Sequence, residues 1–319
     1  MTPFQSRRPD SAGLHYDPGF TQQYAGPLKR TIDADGQFTV RRTGGTWRDV
    51  HLYLYLISVS WLKFFLLVIL AFAVLNTAFA AVYMWIGIDH LKNAFAPTAE
   101  LRFVNAFFFS AHTLTTVGYG NIYPEGIAAE LTSAFEALVG LLGFAIATGL
   151  MFGRFSRPSA RFGFSDRMLV APYMSGTSLQ FRVVNRRSNN LIEVETRVML
   201  MIVDFSGARP ERRFIPLDLE RSQILFLPLT WTIVHPIIEG SPLYGKTAQD
   251  LERLQAEVII MMKAFDETFS QTVQARYSYR FDEIIWGAKF VPAFEIDKDG
   301  DVQLEIDKVS ETMPTSLPG

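Results

Sequence analysis

Six consecutive residues, Thr115, Thr116, Val117, Gly118, Tyr119 and Gly120, have types that suit one kind of chemistry. An ion sheds its water shell only where other oxygens replace it, and a narrow extended strand can supply them from its own carbonyls, stacked in rings. Bringing successive carbonyls to one side demands backbone angles that a residue with a β-carbon resists, which suits glycine at 118 and 120. Such a strand cannot stand alone at membrane depth, because non-helical backbone is tolerated there only when buried in protein or lining water. Helices must hold it.

Those helices are legible as apolar runs. From 64 to 88 the chain is nearly uninterrupted Leu, Phe, Ala, Val and Ile, broken by Asn76 and Thr77, and a first span is expected over about 62–88. A second run, richer in Gly and Ala and containing Glu130 and Glu136, gives a span over 127–155. Two runs of this length so close together are hard to bury in a soluble fold. Between them, 101–114 is too short to cross and reads as a pore helix whose negative C-terminal end faces the ion path and favours a cation. Residues 116–120 then spell TVGYG, the run by which potassium filters are known. K+ would bind at Thr116, Val117, Gly118 and Tyr119, with Gly120 closing the strand. One chain supplies a quarter of each ring, so a homotetramer is implied.

Arg41, Arg42, Arg48 and Lys63 precede the first span, and Arg154, Arg157, Arg161 and Arg167 follow the second. The positive-inside rule puts both termini in the cytoplasm, and a multi-pass protein of the cell inner (plasma) membrane is expected. The segment between the spans holds only Lys92 and Arg102 against Asp89, Glu100 and Glu125, as an external segment should. Residues 46–60 place Trp47, Val50, Leu54 and Ile57 near one helical face, which suits an interfacial slide helix. Residues 1–45, rich in Gly, Pro, Asp and Arg with no apolar h-region, read as a mobile cytoplasmic tail.

After Pro158 the pattern changes to short apolar runs with period-two alternation, clearest over 192–198. Further strands are expected at 179–184, 212–219, 231–235, 258–265, 269–279 and 288–294, spacing that argues an all-β sandwich domain over 158–307. Thr247 and Asp250 have capping-box spacing, so a helix is expected over 248–255, and 308–319 reads as a loose C-terminal tail.

Other chemistry finds little support. A net charge of -2 and a pI near 6.2 give no bulk attraction to nucleic acid. The absence of cysteine excludes disulfides, thiolate zinc sites and cysteine nucleophiles. The five histidines, His15, His51, His90, His112 and His235, lack metal-ligand spacing, and no GxSxG elbow occurs; neither an enzyme nor a cofactor is expected. Gly240 to Thr247 does fit the P-loop pattern GxxxxGKT, with Lys246 and Thr247 in the phosphate and magnesium roles. Against it, Pro242 lacks an amide and the surroundings read as β-sandwich, so regulation by nucleotide at GSPLYGKT is the minority alternative.

With the filter, four stretches resemble the bacterial inward-rectifier potassium channels, the KirBac family: RFSRP at 154–158, WTIVHP at 231–236, SPLYG at 241–245 and DEIIWG at 282–287. The resemblance implies passive K+ conduction and an immunoglobulin-like cytoplasmic domain whose four copies extend the pore. It also implies gating at the crossing of the second helices, where Phe152 stands. Phe144, Thr148 and Phe152 recur every four residues and would share the pore face. Gly140, Gly143, Gly149 and Gly153 would permit close packing. Phe144 occupies the position that is acidic in strong rectifiers, so weak rectification is expected. His112 stands where the family usually has a glutamate; filter support from Thr115, His112 and Glu136 is expected, with a contact between His112 and Glu136. Arg48, Lys63, Arg154, Arg157 and Arg161 would meet anionic lipid headgroups, and the resemblance implies inhibitory phosphoinositide sensitivity. A non-conducting membrane sensor is the remaining alternative.

Overall fold

The computed structural model describes residues 19–23, 26, 30–33, 36–40, 43–44, 51–156 and 161–318. The chain divides into two compact units, residues 43–157 and residues 1–42 joined by 158–319.

The first unit runs α1 (Leu52–Ser58), α2 (Trp61–Ile86), β1 (Leu91–Lys92), α3 (Ala99–Leu114), β2 (Tyr123–Pro124) and α4 (Ile127–Phe155). Only 11% of the most apolar window of α2 and 6% of that of α4 is buried, so neither is the core helix of a soluble protein. Both are long and apolar enough to cross a membrane. A small core joins α2 to α3 through Ala80, Tyr83, Ala106 and Phe109, closed at one end by Ile88, Leu91 and Ala94. Thr98 caps α3 by accepting from the Leu101 amide. The slide helix expected over 46–60 is Leu52–Ser58 where described, and residues 45–50 lie outside the described residues. It ends early because the Ser60 hydroxyl caps α2 at the Lys63 amide, which holds Ser60 in extended backbone.

The second unit is a sandwich. In chain order its strands are β3 (Phe162–Phe164), β4 (Met168–Tyr173), β5 (Gly176–Asn185), β6 (Leu191–Asp204), β7 (Glu211–Pro216), β8 (Gln223–Phe226) and β9 (Trp231–Ile237). α5 (Ala248–Arg253) follows, then β10 (Glu257–Asp266), β11 (Gln271–Arg280), β12 (Ile284–Trp286), β13 (Ala288–Phe290), β14 (Phe294–Ile296), β15 (Val302–Leu304) and β16 (Thr312–Pro314). One sheet has the order β11-β10-β6-β7 with β8 beside β6; the other has β12-β4-β5-β3 with β9 beside β5. Alternation along β6 turns Val194, Val198 and Leu200 inward against Ile260, Met262, Phe181 and Ile233, while Glu193, Glu195 and Arg197 face out.

Two expectations are overturned. The described part of the supposed mobile tail lies on the β unit: Gln23 bridges to Glu211, Arg30 pairs with Glu283 at 3.0 Å, and Ile32 is 1% exposed. Thr31 donates its amide and hydroxyl to the Glu257 carboxylate at 2.9 and 2.7 Å. The supposed loose end beyond 307 instead adds β16 to β13, buries Val309 and packs Leu317 on the core. In both places a few contacting residues fix a segment whose composition is that of a linker.

Candidate functional site

The end of α3 and the strand after it satisfy each other. A helix leaves its last carbonyls unpaired, and here the following amides take them. Thr115 N–H donates to Ala111 at 3.2 Å, Thr116 N–H to Thr113 at 3.0 Å, and Val117 and Gly118 both to the His112 carbonyl at 2.9 and 3.2 Å. The backbone φ is positive at Thr116 (58°), Gly118 (54°) and Gly120 (77°), but not at Val117 or Tyr119. A β-branched residue avoids positive φ, so Thr116 holds strain that its surroundings impose. All of 115–120 is exposed on this single chain.

Behind the strand, α4 meets α3 at backbone range: a β-carbon on Gly140 would overlap the Leu114 carbonyl. One turn nearer the N-terminus of α4, Glu136 is completely buried. It accepts from the Tyr83 hydroxyl at 2.7 Å, and its other oxygen is in hydrogen-bond contact with Ser110 Oγ. Ser110 Oγ also reaches Asn76 Oδ1 at 2.9 Å, while Asn76 Nδ2 donates to the Phe72 carbonyl at 2.7 Å. This chain of groups ties α2, α3 and α4 together. Asn76, Tyr83 and Ser110 were not singled out as site residues from the sequence; the available signal was that a polar group deep in a span requires a partner.

The expected contact between His112 and Glu136 is absent, because both carboxyl oxygens are taken by Tyr83 and Ser110. The His112 ring instead meets Tyr119 edge-on, centroids 4.8 Å apart. Thr115 Oγ1 donates to the Ala111 carbonyl at 2.6 Å. Phe144, Thr148 and Phe152 lie along one side of α4 and are exposed on the single chain, Phe144 73% and Phe152 71%.

The members of the expected lipid-headgroup set differ in their local surroundings. Arg154 turns inward, donating to the carbonyls of Leu56 and Val59 at 2.6 and 2.7 Å with its guanidinium over the Trp61 and Phe64 rings. Lys63 and Arg161 are exposed, whereas Arg48 and Arg157 lie outside the described residues.

The P-loop alternative fails on geometry. β9 before it is antiparallel to its neighbour, Thr247 Oγ1 is committed to Asp250 in a capping box, and Ser241 is held by His235 Nε2 at 2.8 Å. His235 is itself buried, with Nδ1 2.6 Å from the Asp218 carbonyl. Burial holds its imidazole below the ordinary histidine value, against the opposing pull of that carbonyl.

Residues 55–157 match the family model of ion channels, and residues 162–319 match that of the inward rectifier potassium channel C-terminal domain. Over 286 residues the chain is 37% identical to the inward rectifier potassium channel Kirbac3.1 of Paramagnetospirillum magnetotacticum, covering 88% of this chain and 95% of that protein. The chain belongs to the inward-rectifier potassium channel family. It is also 30% identical over 319 residues to the G protein-activated inward rectifier potassium channel 3 of Mus musculus, across 91% of this chain and 79% of that protein. As an inward rectifier it is a membrane ion channel, not an enzyme, and K+ is its permeant ion.

Proposed function

We propose that four copies of the chain close around Thr116, Val117, Gly118, Tyr119 and Gly120 to form the K+ filter of a weakly rectifying channel. The observation that carries this is the alternating sign of φ along 116–120, on a strand whose first three amides, those of Thr116, Val117 and Gly118, are spent on the pore-helix carbonyls. Such alternation is what lets carbonyls turn to one side, and donors spent on α3 leave acceptors for the ion. The exposed line of Phe144, Thr148 and Phe152 then faces a shared axis, with Phe152 as an apolar ring that closes the path by excluding water. No acidic side chain stands at 144 to hold a blocking cation, which supports weak rectification.

The chain sits in the inner membrane with both termini and the β unit cytoplasmic, as the arginines after α4 favour. The β unit drives the gate, and anionic lipid headgroups are met by the exposed basic side chains, Lys63 on the membrane unit and, separately, Arg161 on the β unit. Arg154, bonded to the α1–α2 elbow, contributes by joining α4 to that elbow.

The test is rubidium uptake into liposomes carrying the purified channel, with potassium, sodium and barium as competitors and Gly118→Asp as control. Block by barium with indifference to sodium is expected. Silence in every lipid mixture, phosphoinositide-free included, would overturn the reading in favour of a non-conducting sensor.

A further inference from the structure

The buried group around Glu136 has an unusual property: its protons can be counted. Ser110 has a single hydroxyl proton, yet its oxygen faces two acceptors, Asn76 Oδ1 and a carboxyl oxygen of Glu136. The asparagine cannot be turned round to help, because its amide nitrogen donates to the Phe72 carbonyl, which only accepts. Tyr83 spends its one proton on the other carboxyl oxygen.

If Glu136 were ionised, the group would be one proton short. Either Asn76 Oδ1 or a carboxylate oxygen would then face the Ser110 oxygen with nothing between them, in a site where unpaired polar atoms are costly. If Glu136 carries the proton, every position is filled. Glu136 donates to Ser110, Ser110 donates to Asn76, Asn76 donates to Phe72, and Tyr83 donates back to Glu136.

The surroundings agree. Asn76, Ser110 and Glu136 are each 0% exposed and Tyr83 is 1% exposed on the single chain, so neither water nor a neighbouring copy reaches them. The titratable group facing Glu136 from α2 is Tyr83, Ser110 faces it from α3, and no ion pair reaches it among the described residues.

We infer that Glu136 holds a proton at neutral pH, and that this neutral carboxyl is a positioning residue that fixes α3, and through it the 116–120 strand, to both spans. Ser110 lies two residues before His112, whose carbonyl takes the Val117 and Gly118 amides. The consequence for conduction rests on the filter reading above; the proton itself does not.

The experiment has two arms for that reason. Infrared spectra of the full channel in liposomes at neutral pH should contain a protonated-carboxyl band. That band should move on carboxyl-13C glutamate labelling, shift in Ser110→Ala and vanish in Glu136→Gln. A native channel without such a band overturns the inference, whatever the variants do. In rubidium uptake, Glu136→Gln keeps both a donor and an acceptor and should stay within about twofold of the native channel, while Glu136→Ala falls roughly tenfold or more. Equal loss in both variants with the tetramer intact overturns the positioning role while leaving the proton to the first arm.

Discussion

Glu136 in the membrane unit and Glu257 in the β unit are almost equally inaccessible, at 0% and 3% exposure, yet their environments differ in kind. Both oxygens of Glu257 accept from Thr31, one from an amide and one from a hydroxyl, and among the described residues neither donor has a competing partner to serve. Glu136 shares a hydroxyl that is already claimed. The contrast extends to the units around them. The β unit closes a large apolar core between its own two sheets, whereas the membrane unit leaves most of α2 and α4 uncovered and builds only a small core beside α3. A fold that faces water must finish itself; one that faces lipid can leave apolar helices uncovered and spend its polar groups on register.

Three measurements would break or sharpen this contrast. The largest effect is expected from Gly118→Ala. A β-carbon at a φ of 54° costs about 1–2 kcal/mol; with four copies closing the proposed filter, rubidium uptake should be abolished while amide-exchange protection in β6 and β10 is unchanged. Loss of protection in both units would mean that they are not independent. Next is Ile260→Ala in the β core, where deletion of buried methyl groups should destabilise by about 2–5 kcal/mol. Exchange should rise across the sandwich strands with α3 spared.

The smallest effect concerns His235. Its native value lies below that of the unfolded chain, so the unfolded state binds the proton first. The stability contributed by the neutral ring is complete above about pH 6.5 and is lost progressively as pH falls below it. Exchange at the Leu243 amide, corrected for its intrinsic pH dependence, should therefore quicken between pH 7.5 and 5.5, and an unchanged rate would show that the Ser241 contact survives protonation.

What could be read from the residues follows the strength of local signals. The spans announce themselves because α2 and α4 are long and apolar, and α3 because it is short and lies between them. β6 is visible because its alternation is regular over 194–200, whereas β4, with Met168 to Ala171 all buried, has no alternation to show. Thr247 and Asp250 gave away the start of α5 by spacing alone. The partner of Glu136 was not legible in the same way. Ser110 sits in an otherwise apolar stretch of α3, and only the packing of three helices reveals that it, not His112, lies against the carboxyl. Likewise nothing in the composition of 19–40 marks Ile32 as a core residue; its burial depends on strands far along the chain.

That last feature sets an order of events during synthesis. Thr31 finds its carboxylate on a residue 226 positions later, and Arg30 its ion-pair partner 253 positions later. At ribosomal speeds of about 5–20 residues per second, the N-terminal segment waits roughly ten to fifty seconds for β10 and β11 to emerge. Within that wait the first span, the filter and the second span are all translated. The β unit is therefore the last part of the molecule to be sealed, and a nascent chain stalled in its membrane half has no docked N-terminal strap.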